Sequence, residues 1–218
     1  MNQHSDTHLG LPDALLKKHW GLSGTLDRLP GENLNYRIDA PNHELMVLKI
    51  ATEPHADVEL EEAMLEHLDQ AGFPVPTSIP TKDGHRILPT DLDGQQSWTR
   101  LQRLLPGMQW KAAQPTDELL ANIGATLARL HLALADFEHD TAHRTHAWDL
   151  AEAQQHRDSI QHISDDQLRS DGEYCFHLHA SCVLPLLAHC PHGMLHGDFN
   201  DENILVDGAN VAGLLDFG

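Results

Sequence analysis

The chain has 218 residues, with 14 Lys and Arg against 33 Asp and Glu and a formal net charge of -19. A chain of this size buries roughly 70% of its unfolded surface, enough for one large domain or two small lobes. Its negative field repels phosphate backbones and anionic lipid, so neither nucleic acid nor a membrane is an expected partner, whereas small cationic or zwitterionic molecules are drawn in.

Three cysteines, Cys175, Cys182 and Cys190, lie far apart without a C-x-x-C pair and read as buried, reduced thiols. The 18 histidines show no H-E-x-x-H or Cys/His ligand spacing and read mostly as surface residues. The start "MNQHSDTHLG" lacks the basic and apolar segments of a signal peptide. No apolar run approaches the roughly 20 residues that span a bilayer. The expectation is a soluble, cytoplasmic protein.

In chain order, "GTLDRL" (24–29), "NLNYRID" (33–39) and "ELMVLKIA" (44–51) read as strands, with "APNH" (40–43) turning between the last two. "EPHADVELEEAMLEHLDQAG" reads as a helix. Pro54 suits its first turn, Val58, Met64, Leu65 and Leu68 fall near one face, and Gly72 stops it. "TSIP", an Asp83-Gly84 turn, "RILP" and "QSWTRLQRLLPG" return to strand character, ending at Pro106-Gly107. The second half is helical. Thr116 caps a helix with Leu119, Ile123, Leu127, Leu130 and Leu134 at 3- to 4-residue steps. Further helices are predicted from Trp148 to Ile163 and from Asp166 to Ala188, the latter interrupted by Gly172 and Pro185. "NILV" and "VAGLLD" flank "DGAN" as a hairpin with Asp-Gly in its turn. The fold class is α+β, with a β-rich N-terminal lobe over 1–105 and a helical C-terminal lobe over 106–218.

The chemistry concentrates in "MLHGDFNDENILVDGANVAGLLDFG" (194–218). Asp198 precedes Asn203 by five positions, and Asp216 follows Asn203 by thirteen across the hairpin. Two carboxylates and an amide therefore converge. Phosphoryl transfer needs such a set: a carboxylate to orient the attacking hydroxyl, and oxygen ligands to hold Mg²⁺ on nucleotide phosphates. Asp198 suits the first role, Asn203 and Asp216 the second. The spacing matches the kinase H-x-D-x-x-x-x-N followed by D-F-G. Gly197 stands where protein kinases carry the arginine of H-R-D, the partner of a phosphorylated activation loop.

"HGDFNDEN" instead resembles the catalytic loop of the aminoglycoside phosphotransferase and choline kinase superfamily. The resemblance implies a two-lobed, protein-kinase-like fold that phosphorylates small molecules with ATP or GTP. It places Lys49 against the nucleotide phosphates and pairs it with Glu61, flanked by Glu59 and Glu62 as neighbouring choices of register. In the same way "LPGENLNYRI" resembles the nucleotide-covering turn, which lays Gly31, Asn33 and Asn35 over the phosphates, and "RLLPG" is the hinge whose main chain at Leu104 and Leu105 meets the base. His196 and Asp201 would orient the loop. Taken with "ADFEHDTAHRTHAWDL" (135–150), these segments look like hydroxylysine kinase and related bacterial phosphotransferase domains, some of which precede an aminotransferase domain in one polypeptide. That implies 5-hydroxy-L-lysine or a similar amino alcohol as acceptor, with choline, homoserine or an aminoglycoside as alternatives. "WDL" reads equally as plain packing by Trp148 and Leu150. In the superfamily further helices follow D-F-G, so the sequence also reads as truncated after D-F-G. A non-catalytic nucleotide-binding module and an uncovered apolar face are the corresponding expectations.

Overall fold

The computed structural model describes residues 10–31, 33–143 and 149–217. Gly10–Leu15 (α1) runs into a single π turn, Leu16–Trp20, closed by Gly21 at φ 72°. Five strands, β1 (Thr25–Leu29), β2 (Leu34–Asp39), β3 (Met46–Ala51), β4 (Leu88–Leu92) and β5 (Gln95–Arg103), form an antiparallel sheet in the order β1-β2-β3-β5-β4. Successive side chains alternate across a strand. Tyr36, Ile38, Met46, Leu48, Ile50 and Leu101 therefore share one face, where they bury Leu15, Leu16 and Trp20 in a common apolar cluster. The opposite face carries Lys49 and Arg100, direct cross-strand partners on β3 and β5.

Helix α2 (His55–Gln70) follows β3, with Pro54 in the cap position. Its Met64, Leu65 and Leu68 join a second core, built from Phe73, Val75, residues Leu119, Ile123 and Leu130 of α3 (Asp117–Ala133), and Leu134 beyond it. Ile204 and Val206 of β7 (Ile204–Asp207), Leu214 of β8 (Asn210–Leu214) and Phe217 complete that core. The apolar face of α2 thus packs with the second half of the chain, and the Leu214 amide seals the junction on the Pro74 carbonyl at 2.8 Å. Thr116 caps α3 by accepting the Leu119 amide at 3.2 Å.

A short strand, β6 (Met108–Gln109), pairs with β7 to give a second sheet in the order β6-β7-β8. Two glycines let the chain after β5 lie flat on this hairpin. At Gly107, φ is 105° and a Cβ would fall 2.9 Å from the Val206 carbonyl oxygen; at Gly213 it would fall 2.9 Å from Leu105 Cδ1. Helix α4 (Asp166–Leu178), a π turn (His179–Val183) and α5 (Leu184–Leu187) then run on as one rod. The widened turn sits just before Pro185, whose ring would otherwise meet the carbonyl of the preceding turn and which has no N–H to offer.

Several expectations are corrected. The three cysteines are exposed, because α4 and α5 present no buried apolar stripe at those positions. Residues Leu150–His162 form a 3₁₀ helix rather than an α-helix, since Ile160 is the one side chain it buries and little enforces a 3.6-residue period. Trp148 lies outside the described residues. Leu150 does not pack, being 56% exposed, and engages only through its carbonyl, which accepts from His179 Nε2 at 2.7 Å. "TSIP" contributes only a single bridge, Ser78 to Gln102. The last hairpin does turn through Asp207–Asn210 as expected, with Gly208 supplying the positive φ of 59° at the first central position. The Asp93-Gly94 turn between β4 and β5, with φ of 55° and 83°, is an Asp-Gly hairpin signal that the sequence reading passed over.

The two classes of glycine make opposite predictions. Gly107→Ala forces a Cβ onto backbone at positive φ and should cost about 1–3 kcal/mol. Gly124→Ala, on an exposed position inside α3 with nothing within 4 Å, should stabilise by about 0.5–1 kcal/mol. Urea unfolding of both variants reads the signs directly, and a Gly107→Ala chain as stable as the parent would contradict the close approach.

Candidate active site

The loop before β7 is organised by its own amides. Gly197 has φ of 81°, a left-handed conformation that excludes a larger side chain without strain. After it, Asp198 accepts on Oδ2 from Asn203 Nδ2 at 2.8 Å and on Oδ1 from Asn200 Nδ2 at 2.8 Å. Asn203 Nδ2 also donates to the Asp198 carbonyl at 3.0 Å. Asn200 Oδ1 accepts the main-chain amides of Glu202 (2.8 Å) and Asn203 (3.2 Å), which tightens the loop into one turn. The hairpin returns the chain: the Leu215 amide donates to the Asn203 carbonyl at 2.8 Å. Asp216, at φ 63°, follows directly.

His196 joins the two segments. It is 4% exposed, accepts the Asp198 amide on Nδ1 at 3.3 Å, and stacks on Phe217 with ring centroids 4.3 Å apart. Burial pushes its imidazole below the ordinary 6.5, against the opposing pull of the Leu215 main chain. Phe217 in turn plugs the core that contains the α2 side chains. Gly218 lies outside the described residues.

On the sheet, Lys49 Nζ donates to Glu61 Oε1 at 3.2 Å and to Oε2 at 3.4 Å, which selects Glu61 over Glu59 and Glu62 as its partner. Arg100, with no exposed surface, donates from Nη2 to Glu61 Oε2 and lies 3.6 Å from Glu62 Oε2 through Nη1. Ser78 Oγ donates to the same Glu62 oxygen at 2.6 Å. Burial by itself raises the Glu61 carboxyl, but Arg100 and Lys49 more than offset this and hold it below its ordinary 4.5.

The β1–β2 turn carries Gly31 and Asn33, and the start of β2 carries Asn35. Arg28 donates to the Asn33 and Asn35 carbonyls, each at 3.0 Å, and Asn33 Nδ2 donates to Glu53 Oε1 at 2.8 Å. Gly31 has φ of 135°, and a Cβ there would approach Asn35 Nδ2 to 3.0 Å. In the segment after β5, the Leu104 amide donates to the Leu45 carbonyl at 2.9 Å, while the Leu105 side chain rests on Gly213. Farther along, Gln109 Nε2 donates to the Glu202 carbonyl (2.9 Å), Lys111 Nζ to Glu202 Oε1 (3.0 Å) and the Lys111 amide to the Asp201 carbonyl (3.0 Å). Asp201 thus helps through its main chain.

Structure therefore joins Asp198 to Asn203, Lys49 to Glu61, and Asn203 to the residue before Asp216. Sequence reasoning missed Arg28, Arg100, Asn200 and Lys111. Arg100 had a signal, an arginine in mid-strand on the face shared with Lys49; Arg28 acts on main-chain carbonyls, and Asn200 and Lys111 combine a side-chain contact with main-chain bonds in the loop.

Residues 25–218 match the family described as phosphotransferase enzymes. The chain belongs to that family. Hydroxylysine kinase of Danio rerio is 26% identical over 222 residues, covering 93% of this chain and 62% of its own. Homoserine kinase of Neisseria meningitidis serogroup B is 29% identical over 203 residues, covering 90% and 60%. An amicoumacin kinase solved with AMP-PNP and Ca²⁺ superposes with a TM-score of 0.72 at 17% identity, over 98% of this chain and 64% of that one. The fold is thus the α+β, two-lobed, protein-kinase-like one of the family's phosphotransferases. The chain spans about three fifths of the length of these curated relatives. Among the described residues no helix is long and apolar enough to cross a membrane.

The Glu61 network has a pH signature. Its carboxyl is held below 4.5 in the folded chain, so its stabilisation is complete above 4.5 and is lost as pH falls through the lower folded value. Glu61→Gln should therefore be least stable relative to the parent near neutral pH, with the gap closing as pH drops below 4.5. Urea midpoints across that range measure it, and a constant gap would contradict the charge pairing.

Proposed function

We propose that the chain is the nucleotide-binding and catalytic part of a small-molecule kinase, which transfers the γ-phosphate of ATP or GTP to a hydroxyl of an amino alcohol or hydroxy amino acid. The observation that carries this reading is the amide of Asn203 bound to the Asp198 carboxylate at 2.8 Å, with the Leu215 amide returning Asp216 to the same residue. The lobes divide at residues 105 and 106.

In this reading Asp198, held between Asn200 and Asn203, orients the acceptor hydroxyl and accepts its proton. Asn203 gives its Nδ2 to Asp198, which turns its Oδ1 away. With Asp216 it forms a hard-oxygen donor set that fits Mg²⁺. Bound there, Mg²⁺ would neutralise charge on the nucleotide phosphates. Lys49, fixed by Glu61, approaches those phosphates from the sheet. Gly31, Asn33 and Asn35 cover them from a turn that Arg28 has already shaped. Because the Leu104 amide is engaged by Leu45, the base would be met by the Leu104 carbonyl and the main chain of Leu105. The names of two relatives, hydroxylysine kinase and homoserine kinase, both specify a hydroxyl-bearing amino acid. The charge of -19 favours a zwitterionic or cationic acceptor, and 5-hydroxy-L-lysine is our first choice. A cytoplasmic location and a downstream aminotransferase domain complete the proposal.

Two variants test it. Asp198→Ala should cut phosphate transfer to 5-hydroxy-L-lysine roughly 10²- to 10⁴-fold while leaving nucleotide binding in place. Unchanged transfer would remove Asp198 from its role. Asp216→Asn, which keeps shape and removes charge, should weaken nucleotide binding in Mg²⁺. Equal calorimetric affinity in Mg²⁺ and in excess chelator would contradict the metal assignment.

A further inference from the structure

The apolar side chains of α2 that belong to a core cluster are Met64, Leu65 and Leu68, and all three belong to the second core; the cluster of the five-stranded sheet contains none from α2. Beside the His55 ring packed on Trp98 of β5, with centroids 4.1 Å apart, α2 is tied to the sheet by charge: Lys49 and Arg100 from neighbouring strands meet Glu61 and Glu62 from the helix. These partners differ in what else they do. Lys49 stands at an intermediate exposure, and on the reading given above it also serves the phosphates. Arg100 has no exposed surface, and among the described residues its ion-pair partners are Glu61 and Glu62. Its guanidinium bonds Glu61 through Nη2 and stands at ion-pair distance from Glu62 through Nη1, a spread of charge over a planar group that a compact ammonium does not offer.

We infer that Arg100 is the positioning residue of the nucleotide site, holding Glu61 in place so that Lys49 keeps its anchor when phosphates compete for it. The division of the Glu61 oxygens fits this role: Oε2 takes the Arg100 bond, while Oε1 makes the shorter of the two Lys49 contacts. If Lys49 were the only cation on Glu61, an arriving triphosphate would draw Lys49 away and leave a buried carboxylate without a partner, which is costly. With Arg100 present, Glu61 remains satisfied throughout, and Lys49 can divide its three N–H donors between the helix and the ligand. Ser78 donates to the Glu62 oxygen nearest Arg100 at 2.6 Å and so holds the second carboxylate beside the pair.

The inference rests on the nucleotide reading of Lys49, and a double-mutant cycle on binding separates the two. Affinities of the full chain for non-hydrolysable ATP and GTP analogues in Mg²⁺ are measured by calorimetry for the parent, Lys49→Ala, Glu61→Gln, Arg100→Met, Arg100→Lys and Glu61→Gln/Arg100→Met. Arg100→Met should weaken binding roughly tenfold, Arg100→Lys should fall between it and the parent, and in the Glu61→Gln background Arg100→Met should add less than about twofold. A merely structural arginine produces the same loss in both backgrounds, and that result, or parental affinity in Arg100→Met, overturns the inference while the nucleotide reading stands. Should Arg100→Met not fold, Arg100→Lys against the parent and the double variant against Glu61→Gln carry the same decision, since neither leaves Glu61 charged without a cation. A parent that binds neither analogue, or a Lys49→Ala chain that binds as well as the parent, overturns the nucleotide reading and the inference with it.

Discussion

The buried ion pair between Arg100 and Glu61 is the contact on which the arrangement of this chain turns. A guanidinium with no exposed surface is stable only when its charge is answered, and here the answer comes from a helix whose Met64, Leu65 and Leu68 belong to a different core. Removing one partner of such a pair typically costs about 3–5 kcal/mol, because the survivor stays buried and charged. A hydrophobic contact of equal strength would tolerate sliding. The pair does not, since hydrogen-bond geometry fixes the helix to the sheet in distance and in register.

A second layer of order sits in the loop around Asp198. Each carboxylate oxygen of Asp198 accepts from a different asparagine, and one of those asparagines spends its own oxygen on the two following main-chain amides. The loop thereby carries its own scaffold. His196 extends this scaffold to Phe217, whose ring lies in the core shared with α2. The loop, the segment after β8 and the helix that carries Glu61 are therefore parts of one packed body.

Much of this was legible before any coordinates. Periodicity gave α2 and α3, the latter with its Thr116 cap, because Met64, Leu65, Leu119 and Ile123 are core residues of long amphipathic helices. The Asp198, Asn203 and Asp216 spacing was legible because its geometry is local: a five-residue loop and a hairpin leave few ways to arrange the ends. Glu61 could be picked from three neighbouring glutamates only by register, and the fold selected it through Lys49. Arg28 and Lys111 were not legible, since each acts on a partner whose nearness is set by tertiary packing or by main-chain carbonyls, and Arg100 left only the trace of an arginine in mid-strand, its carboxylate partner being set by tertiary packing. The cysteines were misread for a related reason. Free Cys is usually buried, but that preference yields where the rod of α4 and α5 buries few of its side chains.

The two glycine contacts after β5 bear on how the molecule can bend. With Gly107 pressed against the Val206 carbonyl and Leu105 seated on Gly213, residues 105–107 ride on the β7–β8 hairpin as part of its rigid body. They are a pedestal rather than a joint. A change of angle between the sheet and the lower half would have to be absorbed upstream, around Arg103 and Leu104, where the chain leaves β5 and its amides still bond back to Thr77 and Leu45. The pivot then lies on the sheet side of Leu105, so residues 105–107 would stay still with the hairpin while β5 turned against them.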